Sequence, residues 1–300
     1  MTKSPRVVFF GNERLVSGLR RTNTPILNGL IEREYNIVSV VVNNRDATSR
    51  NTRTLEVAEL AQSHDIPVLS PKKLSNIEQD LRDLQPDIAI LAAYGRIIPQ
   101  RIIDIFMPAG IINIHPSLLP CYRGSTPIET AIIQGDTTTG VSIMQLTAGM
   151  DEGPVYMQES IKLTGHETKF ELYEHLSKRG AELLFSVLPD IVSGEMQPIP
   201  QRTDGVSYTT PLMKSTGIID PTTDTAEHIE RKIRAYLGFP KSHISYRGND
   251  VIVTSASVIE KPIDGMLCIT CKQNSTLLVE SLIAPSGKIM SGEAYLRGLR

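Results

Sequence analysis

Residues 109–120 read Ala-Gly-Ile-Ile-Asn-Ile-His-Pro-Ser-Leu-Leu-Pro. The apolar run from Ala109 to Ile112 has the composition of a buried strand. Pro116 lacks a backbone donor and disfavours helix at the residue before it, so the strand ends at His115. Asn113 and His115 stand at i and i+2 and therefore share one face. A carboxamide and an imidazole are expected side by side at a strand's carboxyl end, which is where open parallel α/β sheets hold their ligands. A single His beside a Pro is, by itself, more often a capped strand end than a catalyst.

Working outward, the runs Val7–Phe10, Ile37–Val42 and Ile88–Ala93 read as further buried strands. Between them lie an amphipathic stretch from Pro25 to Tyr35, a helix from Leu55 to His64 and a short strand, Ile66–Leu69. This alternation predicts an α/β fold: a Rossmann-like, mostly parallel sheet with helices on both faces. No Gly-x-Gly-x-x-Gly follows the first strand, which argues against a bound dinucleotide. Phe170–Val192 has the spacing of a long helix, with Leu172, Leu176, Leu183, Leu184, Leu188 and Ile191 near one stripe. Gly194–Gly205, rich in Pro, Gly and polar residues, reads as a linker. Beyond it come a helix, Thr225–Ala235, and short strand-like runs separated by turns such as Arg247–Asp250 and Pro262–Gly265, a pattern that suits a smaller β-barrel domain. The expected division is 1–190, a linker over 191–207, and 208–300.

With 300 residues and 40% hydrophobic content, the chain is long enough for two such cores. No run reaches the ~18 to 20 apolar residues of a membrane span. The start, Met-Thr-Lys-Ser-Pro-Arg6, enters a short strand without the core or cleavage site of a signal peptide, so a cytoplasmic location is expected. Cys121, Cys268 and Cys271 are too few for a disulfide framework, and within a strand Cys268 and Cys271 would face opposite sides, which argues against a metal site. The net charge is −2; residues 1–206 carry 20 basic and 24 acidic side chains, the remainder 11 and 9. Any nucleic-acid contact must then come from local clusters. Candidates are Arg45, Arg50 and Arg53 after the second strand, and Arg231, Lys232, Arg234, Lys241 and Arg247 in the second domain. Each is equally readable as a solvated face.

Asp151, in the turn-rich segment Thr147–Pro154, follows the apolar run Val141–Met144. A carboxylate on a neighbouring strand's loop can reach an imidazole and fix its tautomer, so Asn113, His115 and Asp151 are read as a proton-handling site with an oxyanion donor. Here the chain resembles the folate-dependent formyltransferases, whose hallmark is Asn-x-His-x-Ser-Leu-Leu-Pro followed by a Gly-x-Asp-x-Gly-type loop. Asn113, His115, Ser117–Pro120, Gly124, Pro127, Gly135, Gly140 and Asp151 all fall on that pattern. The resemblance implies that Asn113, His115 and Asp151 are catalytic, and that 10-formyltetrahydrofolate is the formyl donor, with no metal. It places the folate beside Ser117, Leu118, Leu119 and Pro120 and the strand end at Ala92 and Tyr94. Tyr94 is also readable as a packing residue.

Within the family, Gly140–Gln145, Gly149–Gly153, Ile233–Pro240 and Tyr246–Val253 look most like the branch acting on methionyl-tRNA. That implies initiator methionyl-tRNA as partner, a monomeric enzyme and an OB-like second domain that contacts the tRNA through residues such as Arg234 and Lys241. The chain departs from that branch at Gly11-Asn-Glu-Arg-Leu15, where Gly-Thr-Pro-Asp-Phe is usual. It departs again over Asn43–Arg53, which is shorter than usual and lacks lysines. Two other readings stay open: a formyltransferase acting on a nucleotide-linked amino sugar, and a folate- or RNA-binding protein without turnover.

Overall fold

The computed structural model describes residues 4–19, 21–43 and 55–299. The first part runs β1 (Arg6–Gly11), α1 (Pro25–Glu32), β2 (Asn36–Val41), α2 (Glu56–Ser63), β3 (Val68–Leu69), α3 (Glu78–Asp83), β4 (Ile88–Ala92), α4 (Gln100–Ile103), β5 (Ile111–His115), α5 (Pro127–Gln134), β6 (Thr138–Gln145), β7 (Val155–Lys162) and α6 (Lys169–Ser193). Its seven strands lie in the order β3-β2-β1-β4-β5-β6-β7. From β3 to β5 the pairing is parallel, as the strand and helix alternation predicts. The last two strands pair antiparallel, which that alternation did not indicate.

Side-chain alternation explains why a continuous apolar run such as Val7–Phe10 suits a central strand. Val7 and Phe9 enter a core with α1, α2, α5 and α6. Val8 and Phe10 enter a second core with Leu81 of α3 and Ile102 and Ile103 of α4. The 25-residue α6 starts at a capping box, in which Thr168 accepts from the Glu171 N–H and the Glu171 carboxylate accepts from Thr168. Midway along it, Gly180 lets the helix close on the sheet, because a Cβ there would lie 2.8 Å from Ile114 and 3.3 Å from Val141.

The second part contains β8 (Ile218–Ile219), α7 (Ala226–Ala235), β9 (Ser242–Tyr246), β10 (Asn249–Ile259), β11 (Cys268–Thr270), β12 (Thr276–Ile283), β13 (Ile289–Ser291) and α8 (Gly292–Gly298). Its sheet order is β11-β12-β10-β9-β8, with β13 on β12. The end strands β8 and β11 do not pair with each other, but the chain beyond each is joined, since Lys272 N–H donates to Pro221 O and Asp224 O. Ile229 and Ile233 of α7 fill this smaller core. Cys271 is buried there, and burial pushes its thiol up to about 11. Among the described residues no helix is long and apolar enough to cross a membrane.

The two parts meet closely. Gly18 and Gly238 both have positive φ, and a Cβ on Gly18 would lie 2.7 Å from the Gly238 carbonyl carbon. Lys169, fully buried at the start of α6, donates to Phe239 O at 2.7 Å and lies 3.7 Å from Glu129 of α5. Arg234 donates to Glu167 O at 2.7 Å.

Candidate active site

On β5, Ile112 and Ile114 turn into the first core, which leaves Asn113 and His115 together on the opposite face. Both are buried. The His115 ring is held from two sides. Its Nε2 lies 2.9 Å from Tyr122 O, and its Nδ1 lies 3.7 Å from Asp151 Oδ2. Nε2 is thus at hydrogen-bond distance from a carbonyl, which can only accept, while Nδ1 stands at ion-pair distance from the carboxylate, beyond a hydrogen bond. Asp151 sits in the left-handed region, at φ 50, and its Oδ2 accepts the Gly124 N–H at 2.7 Å. β6 runs antiparallel, with Ser142 opposite His115 and Gln145 opposite Ile112, so it ends toward the amino end of β5, and the turn over residues 146–154 is what carries the Asp151 carboxylate to His115.

The turn after β5 is fastened to the sheet. Ser142 Oγ donates to Ser117 O at 2.6 Å and accepts from Leu119 N at 3.1 Å, and Gln158 Nε2 donates to Leu119 O at 2.8 Å. Ser117 and Leu119 are buried, while Leu118 and Pro120 are half-buried. Ala92 carries its carbonyl to the Glu13 N–H at 3.2 Å. Tyr94 packs its ring edge-on against Phe10 inside the second core, and its main chain accepts from Asn43 Nδ2.

Several participants escaped the sequence reading. The segment read as a linker, together with the first residues assigned to the second domain, packs beside the site: Arg123 N–H donates to Ser207 O, Thr209 N–H donates to Arg123 O, and Val155 and Ile199 form a bridge. Gln201 Nε2 donates to Asp151 O and Gly153 O, and its Oε1 accepts from the Arg123 guanidinium. Arg123 also donates to Tyr208 Oη. Pro and Gly content masked this segment, although the alternation in Val206-Ser-Tyr-Thr-Thr210 was an available strand signal. Glu13 was also missed. Thr24 precedes α1 without capping it, and the buried Glu13 carboxylate, twelve positions before Pro25, accepts the Ile26 and Leu27 N–H groups at 2.9 and 2.8 Å. Burial raises Glu13 to about 7 against the opposing pull of those two bonds.

Of the nucleic-acid candidates, Arg45, Arg50 and Arg53 lie outside the described residues. Arg234 is engaged by Glu230 as well as by Glu167 O, whereas Lys241 is exposed. Among the described residues, no three His, Cys, Asp or Glu side chains gather to hold a metal ion.

Residues 12–188 match the family described as formyl transferase, and residues 211–300 match the formyl transferase C-terminal domain. The chain belongs to the formyl transferase family. It is 38% identical to the methionyl-tRNA formyltransferase of Chloroflexus aggregans over 291 residues, covering 91% of this chain and 93% of that one. Against the methionyl-tRNA formyltransferase of Myxococcus xanthus the identity is 33%, covering 98% and 95%. The fold is shared with the Helicobacter canadensis N-formyltransferase solved with folinic acid and dTDP-3-aminofucose, with a TM-score of 0.70, 16% identity and coverage of 92% and 98%. It is also shared with Aquifex aeolicus HypX in complex with tetrahydrofolic acid, with a TM-score of 0.66, 17% identity and coverage of 98% of this chain and 47% of that one. This formyltransferase is therefore an enzyme of one-carbon group transfer built as a larger sheet domain with a smaller one attached.

Proposed function

We propose that the enzyme transfers the formyl group of 10-formyltetrahydrofolate to the α-amine of methionine carried on initiator tRNA. The observation that supports this reading most is the similarity to methionyl-tRNA formyltransferases along nearly the whole chain, second domain included. The amine attacks the formyl carbon as a neutral nucleophile and gives a tetrahedral oxyanion. The Asn113 carboxamide and the Nδ1 edge of the His115 ring, which no hydrogen bond occupies, donate to that oxygen from a buried strand end. Asp151 holds the Nδ1 side of the ring and assists the proton's passage from the amine to the leaving folate nitrogen. In this reading Ser117, Leu118, Leu119 and Pro120 flank the folate, and the exposed Lys241 meets a tRNA phosphate.

Formyl transfer to methionyl-initiator tRNA, followed by acid-gel separation of the tRNA, tests the reading. Asp151→Asn should abolish transfer, and Asn113→Ala should slow it on the order of a hundredfold or more. Native enzyme that leaves the tRNA unformylated yet formylates a nucleotide-linked amino sugar would overturn the proposed acceptor.

A further inference from the structure

Two residues of one turn serve the two catalytic partners through main-chain groups. Tyr122 offers its carbonyl to His115 Nε2 at 2.9 Å, and Gly124 offers its N–H to Asp151 Oδ2 at 2.7 Å. The aim of the imidazole thus depends on what fixes Tyr122. That residue is in the left-handed region, at φ 58, where a non-glycine residue is disfavoured unless its surroundings hold it. Two contacts do so. Its N–H donates to Ser207 Oγ at 2.9 Å, and its hydroxyl, carried on a half-buried ring, donates to Asp136 Oδ2 at 2.7 Å. Asp136 is anchored in turn just after α5, where its N–H donates to Ala131 O.

We infer that Asp136 and Tyr122 form a positioning pair: the hydrogen bond between their side chains locks the Tyr122 carbonyl, and through it the tautomer and direction of His115, on the ring edge opposite Asp151. The acceptor is a carboxylate oxygen, a class of acceptor that makes stronger bonds than a neutral oxygen does. Burial and the carboxylate together push the Tyr122 phenol upward, so it remains a donor throughout the neutral range. The main-chain carbonyl is the group that touches His115, so removing the phenol oxygen leaves every catalytic side chain in place and loosens only their alignment. A small misplacement of reacting groups lowers turnover far more than binding.

This inference rests on the proposed roles of His115 and Asp151, and one set of variants separates the two. Formyl transfer is measured with 10-formyltetrahydrofolate and methionyl-initiator tRNA for native enzyme, Tyr122→Phe, Asp136→Ala, Asp136→Asn and Asp151→Asn, with the thermal midpoint of each. Tyr122→Phe and Asp136→Ala should lower kcat about tenfold and leave both KM values within about twofold. Asp136→Asn retains an acceptor oxygen and should recover most of kcat. Nitrogen-15 spectra of His115 should show the Nε2-protonated ring in native enzyme and a tautomer mixture in Tyr122→Phe. Unchanged kcat and unchanged His115 signals in Tyr122→Phe, with Asp151→Asn inactive, would overturn the positioning pair alone. Full activity in Asp151→Asn would instead overturn the assignment of the site beneath it. A kcat loss in Asp136→Asn equal to that in Asp136→Ala, or losses that merely follow the thermal midpoint, would also overturn the pair.

Discussion

At the scale of single residues, Glu13 carries the clearest pH dependence. Its folded-state value of about 7 lies above the ordinary 4.5, because burial outweighs the two backbone bonds it accepts. With the folded value raised, its contribution to stability is fully present below about pH 4.5 and is lost as pH rises through about 7. The difference corresponds to roughly 3 kcal/mol. Urea denaturation between pH 5 and pH 8 should therefore show native enzyme losing stability relative to Glu13→Gln as pH rises, with the two curves parallel above pH 8. Parallel curves throughout would mean that Glu13 is ionised across the range. This residue also marks a limit of sequence reading. A capping side chain is sought next to its helix, and the cap of α1 comes from another loop. Asn113 and His115 were legible for the opposite reason, since a two-residue period and one Pro fix their relation locally.

At the scale of elements, α6 is both support and ruler for β5. Gly180 brings the helix against Ile114, which lies between Asn113 and His115. The added branches of Gly180→Val would have to displace Ile114 and Val141, at a cost of about 1–3 kcal/mol. Because Ile114 shares its strand with both groups, that variant should lose turnover beyond what its stability explains. Full specific activity measured well below its melting temperature would refute the coupling. The long helix and central strands were legible because their periodicity is sustained. The antiparallel β6 and β7 were not, because an apolar run has no polarity written in it. The packing of residues 199–210 beside the site was missed because its bonds run to turns distant in sequence.

At the scale of the molecule, a buried ion pair within the larger domain, Lys169 with Glu129, stands at the seam, where Lys169 also donates to Phe239 O of the smaller domain. Burial lowers Lys169 to about 8 and raises Glu129, while their mutual attraction opposes both shifts. Breaking such a pair strands a charge. Lys169→Met should cost roughly 3–5 kcal/mol, and adding Glu129→Gln should restore much of it, whereas equal losses in the single and double variants would show that Phe239 O is the partner that matters. The segment beside the site has a different consequence. The family matches stop at residue 188 and resume at residue 211, and the interval outside both holds Gln201 and Ser207. A fragment ending near residue 190 would retain Asn113, His115, Asp151 and the Asp136 tie on Tyr122, and shed the ties of Gln201 and Ser207 on Arg123, Asp151 and Tyr122. A catalytic half trimmed to its sheet would then fold around a histidine braced from one side of its turn where the whole chain braces it from two.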